Sequence, residues 1–406
     1  MTSSNPWPAG ANPEFNEPFH VGRPNLGERR RFLARVNEML DRRWLTNRGP
    51  LVQELERKIA DFVGVKHCVA VCNATVALEI VIRAAELKGE VIVPSFTFIA
   101  TAHSLQWQEI TPVFCDLDPA THNMDPACVE ALITPRTTGI IGVHVWGRPC
   151  NVDALAQIAA RRKLTLLFDA AHAFGCSHQG RMIGGFGRAE VLSFHATKFF
   201  NTFEGGAIVT NDDELATKVR LMQNFGFHGY DNVIYIGTNG KMPEVCAAMG
   251  LTNLESIGDF LVQNKRNYEA YRDELAGLPG IKLLAYDDRE RCNYQYIVLE
   301  VDEALSGVPR MELIKELHTQ NVLARCYFWP GCHNMEPYRS YFPHAKLLLP
   351  KTEALAAKIV VLPTGTAVKP SEVRRICAII RRVLLRGRAV ARPAGLRKKP
   401  AKRKIA

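Results

Sequence analysis

An α/β fold on a mostly parallel sheet, followed by a smaller α+β domain, is what this 406-residue sequence predicts. Three observations carry that expectation. Short apolar runs alternate with helix-period segments from about residue 65, those runs are rich in Val, Ile and Phe as strands covered on both faces are, and the texture changes near residue 255. At 47% hydrophobic residues the chain has enough apolar material for two packed cores.

In order, "HCVAV" precedes the helical "ATVALEIVIRAAEL", "EVIVPS" precedes "FIATAHSLQW", and "TPVFCDL" precedes "DPACVEALI". "TGIIGVHV" then precedes "VDALAQIAARR", and "LTLLFD" closes the series. Each pair reads as a βαβ unit. Two further strand-like runs, "AEVLSF" and "GGAIVT", bracket Lys198, and a helix starts near Asp212. Beyond "CAAMGLTNLESI" come a long amphipathic segment, the strand-like "YQYIVLEV", the helical "PRMELIKELHTQ", an irregular stretch with Trp, Cys and His, and a closing helix, "SEVRRICAIIRRVLL". The expected organisation is a large domain over 1–255 including the N-terminal segment, a small α+β domain over 256–388, and a basic disordered tail over 389–406.

The formal net charge of +10 is concentrated, because residues 386–406 hold nine Lys/Arg and no acid. The rest of the chain is nearly neutral. A basic tail on a neutral body does not indicate a nucleic-acid or membrane partner. Eleven scattered cysteines without a CxxC pair point to reduced thiols, not to a metal site or a disulfide framework. With no signal-like N-terminus and no run of ~18 apolar residues, the expectation is a cytoplasmic protein.

In open parallel sheets ligands gather at the carboxyl ends of the strands, so the residues following the strands belong together. After "CVAV" comes Asn73-Ala74-Thr75 at a helix start, either a plain cap or a phosphate cup. Phe98 follows "EVIVPS" as core or as a ligand platform, and Asp169 ends "LTLLF" as a cap or as the partner of a buried cation. His172, Ser193, His195 and Lys198 complete the set. Pyridoxal phosphate chemistry needs all of these at once: a lysine to form the imine, an Asp to keep the pyridine nitrogen protonated, an aromatic face and a phosphate cup. A nicotinamide dehydrogenase would need GxGxxG after its first strand, where "CNATVAL" stands.

The strings "NRGPLVQELERKIADFVGV", "VIVPSFTFIATAHSL", "FDAAHAFG", "SFHATKFFNTFEGGAIVTND" and "GTNGKMPEVCAAMGL" resemble the DegT/DnrJ/EryC1/StrS sugar aminotransferases, over about residues 20 to 385. Within that family the chain is most similar to the C4-aminating nucleotide-sugar branch of the kind found in desosamine biosynthesis. The resemblance implies the type I fold of pyridoxal phosphate enzymes. It implies Lys198 as the Schiff-base lysine, Asp169 as the pyridinium partner, Phe98 as the stacking aromatic, Ala74, Thr75 and Ser193 on the phosphate, and His172 beside the ring hydroxyl. Many relatives carry Gln at the position of His172. His195 either joins the site or supports the lysine loop.

Asn239 matches the position from which a neighbouring subunit reaches the phosphate, which implies a homodimer with shared sites. The implied reaction moves the amino group of L-glutamate to dTDP-4-dehydro-6-deoxy-D-glucose. Its product is dTDP-4-amino-4,6-dideoxy-D-glucose. Lys241, Arg325 and His333 are candidate cations for the anionic substrates, beside a bland surface or structural reading of each. The alternatives are amination at C3 and a non-catalytic regulator of the same fold. The lysine argues against a sugar dehydratase built on that fold, which is expected to lack it.

Overall fold

A computed structural model describes residues 13–391 of the chain. Its central sheet has seven strands in the order His67–Val71, Gly206–Thr210, Ala189–Ser193, Thr165–Asp169, Thr137–Val143, Glu90–Pro94 and Thr111–Cys115. All but Gly206–Thr210 run the same way. Helices cover both faces and bury the strands almost completely, which is why the strands read as unbroken apolar runs.

The reversed strand has a local cause. It joins its neighbour Ala189–Ser193 through the loop 194–205 with no crossover helix, and a direct connection between adjacent strands makes an antiparallel pair. That loop therefore emerges at the end of the sheet where the parallel strands finish, and it carries Lys198 to the place where ligands gather.

Helix Glu244–Glu255 ends near the expected change of texture, and helix Ile257–Leu275 leaves it at a bend of 62°. No single helix among the described residues is long and apolar enough to cross a membrane. A second sheet follows, with Ile297–Val301 between Ile281–Leu283 and Ile359–Leu362, all antiparallel. It has its own core with Tyr271, Leu313 and Ile376. The N-terminal segment joins this second core instead of the first: Phe19–His20 pairs in parallel with Val322–Leu323, and Phe15 packs beside them.

Helix Pro370–Ala391 runs past the expected start of the tail at 389, and residues 392–406 lie outside the described residues. The irregular stretch after residue 325 contains only short helical turns up to helix Pro350–Ala356. Asp116, just after the central-sheet strand Thr111–Cys115, caps that helix by accepting from Thr352 N at 2.8 Å, Thr352 Oγ1 at 2.7 Å and Lys351 N at 3.1 Å. Glu244 does the same for helix Pro50–Val63, accepting from Leu51 N at 2.9 Å and Val52 N at 3.0 Å. Gly49 just before it leaves room for that carboxylate, since a Cβ there would stand 2.6 Å from Glu244 Cδ and displace it.

Candidate active site

At the carboxyl end of the central sheet lies a cavity of about 310 Å³. Ala74, Thr75, Phe98, Asp169, His172, Ser193, His195 and Lys198 all line it, as do Thr97, Glu204, Tyr296, Tyr327 and Phe328. The residues from Ala74 to Lys198 meet there because they follow strands of the same sheet, and Tyr296, Tyr327 and Phe328 are added from outside it.

At one wall, Asn73 caps helix Ala74–Ala84 by accepting from Val76 N at 2.9 Å. The bland reading of Asn73 as a cap therefore holds, and the cap leaves the N–H groups of Ala74 and Thr75 without partners inside the helix. The Glu-Gly-Gly turn runs directly beneath. A Cβ on Gly206 would come within 2.8 Å of Ala74 N and 2.9 Å of Leu192 O, and one on Gly205 would meet Thr202 Oγ1 at 2.1 Å. The two glycines thus permit a strand to pass right under an anion-binding helix end. Ser193 sits opposite Gly206 in the register, which turns it toward the same corner.

Lys198 is held by its flanks. Phe194, Phe199 and Phe200 are buried in the first core, with Phe194 and Phe200 packed edge-on at 4.9 Å. The Asn25 side chain donates to Phe199 O at 3.0 Å, and the Asn201 side chain donates to Asn25 O at 2.8 Å. The phenylalanines around the lysine are therefore anchors of the loop, not walls of the cavity. The lysine keeps some exposure through the cavity mouth while its amine is enclosed. That enclosure pushes its pKa down to about 8, against the opposing pull of Asp169.

Asp169 is buried, which raises its carboxyl pKa, while Thr101 Oγ1 at 2.8 Å, Ala171 N at 3.1 Å and the nearby Lys198 favour the ionised form. His172 accepts from Trp146 N at 3.3 Å on Nδ1, which puts its proton on Nε2. Burial and the nearby lysine hold it well below the ordinary histidine range, so it is neutral. Phe98 is 57% exposed at the cavity and has no ring partner among the described residues.

Of the remaining candidates only His195 lines the cavity. His195 braces the lysine turn through Thr197 Oγ1 at 2.8 Å and stands 3.5 Å from Glu204. Asn239 and Lys241 are bonded to each other at 2.7 Å on an exposed loop outside the cavity, with Lys241 also bonded to Asn224 at 2.9 Å. Arg325 lies over the ring of Tyr327, at the back of a cavity wall. His333 is buried between Ser95 Oγ at 2.6 Å and Glu353 Oε1 at 2.7 Å, and does not face the cavity.

Sequence reasoning missed Thr101, Tyr296, Tyr327 and Phe328. Thr101 had a signal, standing four residues after Thr97 at the helix start next to Phe98. The other three come from the second sheet and the irregular stretch, and nothing local in their sequence points to the lysine. The chemistry of the lining fits pyridoxal phosphate: free helix N–H groups and a hydroxyl at one end, an unstacked aromatic at the mouth, a buried carboxylate and an amine of lowered pKa.

The DegT/DnrJ/EryC1/StrS aminotransferase family has a sequence profile that matches residues 27–381. A dTDP-4-amino-4,6-dideoxy-D-glucose transaminase of Shigella dysenteriae is 38% identical over 371 residues, which cover 91% of this chain and 100% of that protein. One of Escherichia coli is 34% identical over 365 residues, covering 89% and 97%. Among solved structures, DesI in the presence of its TDP-sugar product aligns with a TM-score of 0.89 at 48% identity, covering 93% of this chain and 96% of that one.

Proposed function

The chain belongs to the DegT/DnrJ/EryC1/StrS aminotransferase family and is a pyridoxal-phosphate-dependent nucleotide-sugar aminotransferase, and on that premise we propose that it carries an amino group from L-glutamate to C4 of dTDP-4-dehydro-6-deoxy-D-glucose. The products are 2-oxoglutarate and dTDP-4-amino-4,6-dideoxy-D-glucose. The observation that carries the chemistry is an enclosed lysine amine, lowered to about 8, sharing one cavity with a buried carboxylate and a helix N-terminus. The C4 assignment rests on the names of the relatives and on the TDP-sugar product of DesI.

When bound, pyridoxal phosphate supplies an electron sink for negative charge developing at the substrate's α-carbon. The N–H groups of Ala74 and Thr75 and the Ser193 hydroxyl would hold its phosphate. Phe98 would cover one ring face, neutral His172 would stand beside the ring, and ionised Asp169 would hold a proton on the ring nitrogen. Lys198 would be its covalent anchor between turnovers. Once freed, its amine takes the proton from the α-carbon of glutamate and later delivers one to C4 of the sugar. Exclusion of water by the surrounding side chains protects these transfers.

A homodimer with shared sites belongs to the same proposal. Lys198 is the one Lys or Arg lining the cavity among the described residues, while Glu204 adds a negative charge near the phosphate corner. The site as one chain builds it is short of cations for a phosphate and a nucleotide diphosphate. Asn239 and Lys241, which do not line their own chain's cavity, are suited to serve the neighbour's.

Absorbance tests the proposal. Glutamate is expected to convert the visible-edge band of the loaded protein to the shorter-wavelength band of the amine form, and the 4-keto sugar nucleotide is expected to restore it. Faster restoration by the 3-keto isomer would overturn the C4 assignment, and retained turnover in Lys198→Ala would overturn the role of the lysine.

A further inference from the structure

We propose that the hydroxyl of Tyr296, brought from the second sheet, is the seat of the Lys198 amine whenever that amine is free, an inference that rests on Lys198 being the cofactor's lysine. Lys198 Nζ lies 3.4 Å from Tyr296 Oη. Among the described residues this is the amine's one hydrogen-bond partner. Asp169, the opposite charge at the cavity floor, forms no ion pair with it, and its two carboxylate oxygens are taken by Thr101 and Ala171. A contact of this length is at the outer edge of a hydrogen bond, as active-site contacts often are before ligands bind.

The ring has nowhere else to turn. Tyr296 is 6% exposed, packs on His172 at 4.7 Å and edge-on against Trp146 at 5.2 Å, and its carbonyl accepts from Tyr286 Oη at 2.8 Å. Burial, with Tyr327 and Asp169 nearby, pushes its phenol well above the ordinary range, so the hydroxyl keeps its proton. A protonated phenol accepts from an ammonium and donates to a neutral amine. It can therefore keep a released lysine beside the reacting carbon in either state, instead of letting the chain swing toward the cavity mouth.

The titratable groups facing the amine are Asp169 and His172 from the strand Thr165–Asp169 and its following turn, His195 and Glu204 from the lysine loop, and Tyr296 and Tyr327 from the second domain. Of these only Tyr296 bonds to it. Because the bond to the charged amine is the stronger of the two, its loss disfavours the ammonium. Tyr296 is a positioning residue: it acts on the reaction through where it keeps Lys198.

The test uses cofactor-free protein and the reaction of Lys198 with trinitrobenzenesulfonate as a function of pH, read at the Lys198 peptide by mass spectrometry. The wild-type amine is expected to titrate near 8. In Tyr296→Phe the midpoint should fall by about one unit. Replacing Tyr296 by 3-fluorotyrosine, which keeps the ring's packing and weakens the acceptor, should move it the same way by less. In the loaded enzyme Tyr296→Phe should lower kcat about tenfold and leave KM for glutamate nearly unchanged. An unshifted midpoint in both variants, with borohydride still trapping the cofactor on Lys198, overturns the role of Tyr296 alone. Trapping on another lysine overturns the assignment of Lys198 and this inference with it.

Discussion

Lys198 and Asp169 have opposite charges and opposite problems. Burial depresses the lysine and raises the aspartate, and each partly relieves the other. The linkage for the lysine has a definite sign. Its folded value of about 8 lies below the ordinary 10.5, so the native state binds protons less tightly than the unfolded chain. The resulting cost to stability is complete below the folded value and fades as pH rises through the window up to the ordinary value. Lys198→Met is therefore expected to raise the melting temperature of cofactor-free protein at neutral pH, by an amount that shrinks as the solution is made more alkaline. A gain independent of pH would mean that the amine is not desolvated. For Asp169, Thr101→Val removes a donor that favours the ionised form, so the acidic limb of the kcat/KM profile should move up by about one pH unit. An unmoved limb would show that the Thr101 bond does not tune the carboxylate. His333 shows what residue-level reading cannot see: a histidine among aromatic and polar neighbours looks like a substrate contact until Ser95 and Glu353 are found occupying both its nitrogens.

On the proposed function, the element that sets the phosphate corner is the helix start at Asn73 together with the strand beneath it. Gly206→Ala would place a methyl group 2.8 Å from Ala74 N, so the strand must give or the helix end must lift. The expected result is roughly tenfold weaker retention of pyridoxal phosphate in equilibrium dialysis together with a lower melting temperature, since the atoms met are all backbone; retention equal to wild type would remove the helix end from the phosphate site. The helix and strand alternation from residue 65 to the helix Asp213–Met222 was legible because the strands of the central sheet are apolar on both faces and amphipathic helices separate them, whereas the short polar pair Ser177–His178 and Arg181–Met182 carried no such signal. The helices Arg29–Arg42 and Pro50–Val63 were not delineated. The first buries only Met39, and the second takes its cap from Glu244, far along the chain. The direction of the strand Gly206–Thr210 was equally hidden, because parallel order is inferred from crossover helices and this connection has none. The residues that follow strands, from Ala74 to Lys198, could be gathered by a single rule. Tyr296 could not, since its partner is 98 positions away and only the tertiary arrangement joins them.

For the whole molecule the question is how two cores and, on the present proposal, two chains complete one site. The second sheet and its helices are fastened to the central-sheet region at Asp116, whose carboxylate serves as a remote helix cap, and at His122, which faces Glu300 at 3.3 Å. Asp116→Ala leaves the start of helix Pro350–Ala356 without its acceptor and should cost about 3 kcal/mol of stability in urea unfolding. A change under about 0.5 kcal/mol would mean that water replaces the carboxylate without loss. The chain also exposes Trp44, Leu45, Tyr230, Val233 and Ile236, with the last three on the loop that leads to Asn239. Exposed apolar side chains next to polar groups that do not line their own chain's cavity suit a self-complementary two-fold contact. Complementation tests it directly. Lys198→Ala and Asn239→Asp are each expected to be inactive as pure preparations, the second because a new carboxylate would face the cofactor's phosphate. Unfolded together and refolded, half of the dimers would be mixed. Each mixed dimer would hold one cavity with both an intact lysine and an intact asparagine from across the interface, so about a quarter of the wild-type activity should return. If Asn239 served its own chain's cavity, Asn239→Asp would still be inactive, but every site in the mixture would carry one defect and no activity would appear on mixing.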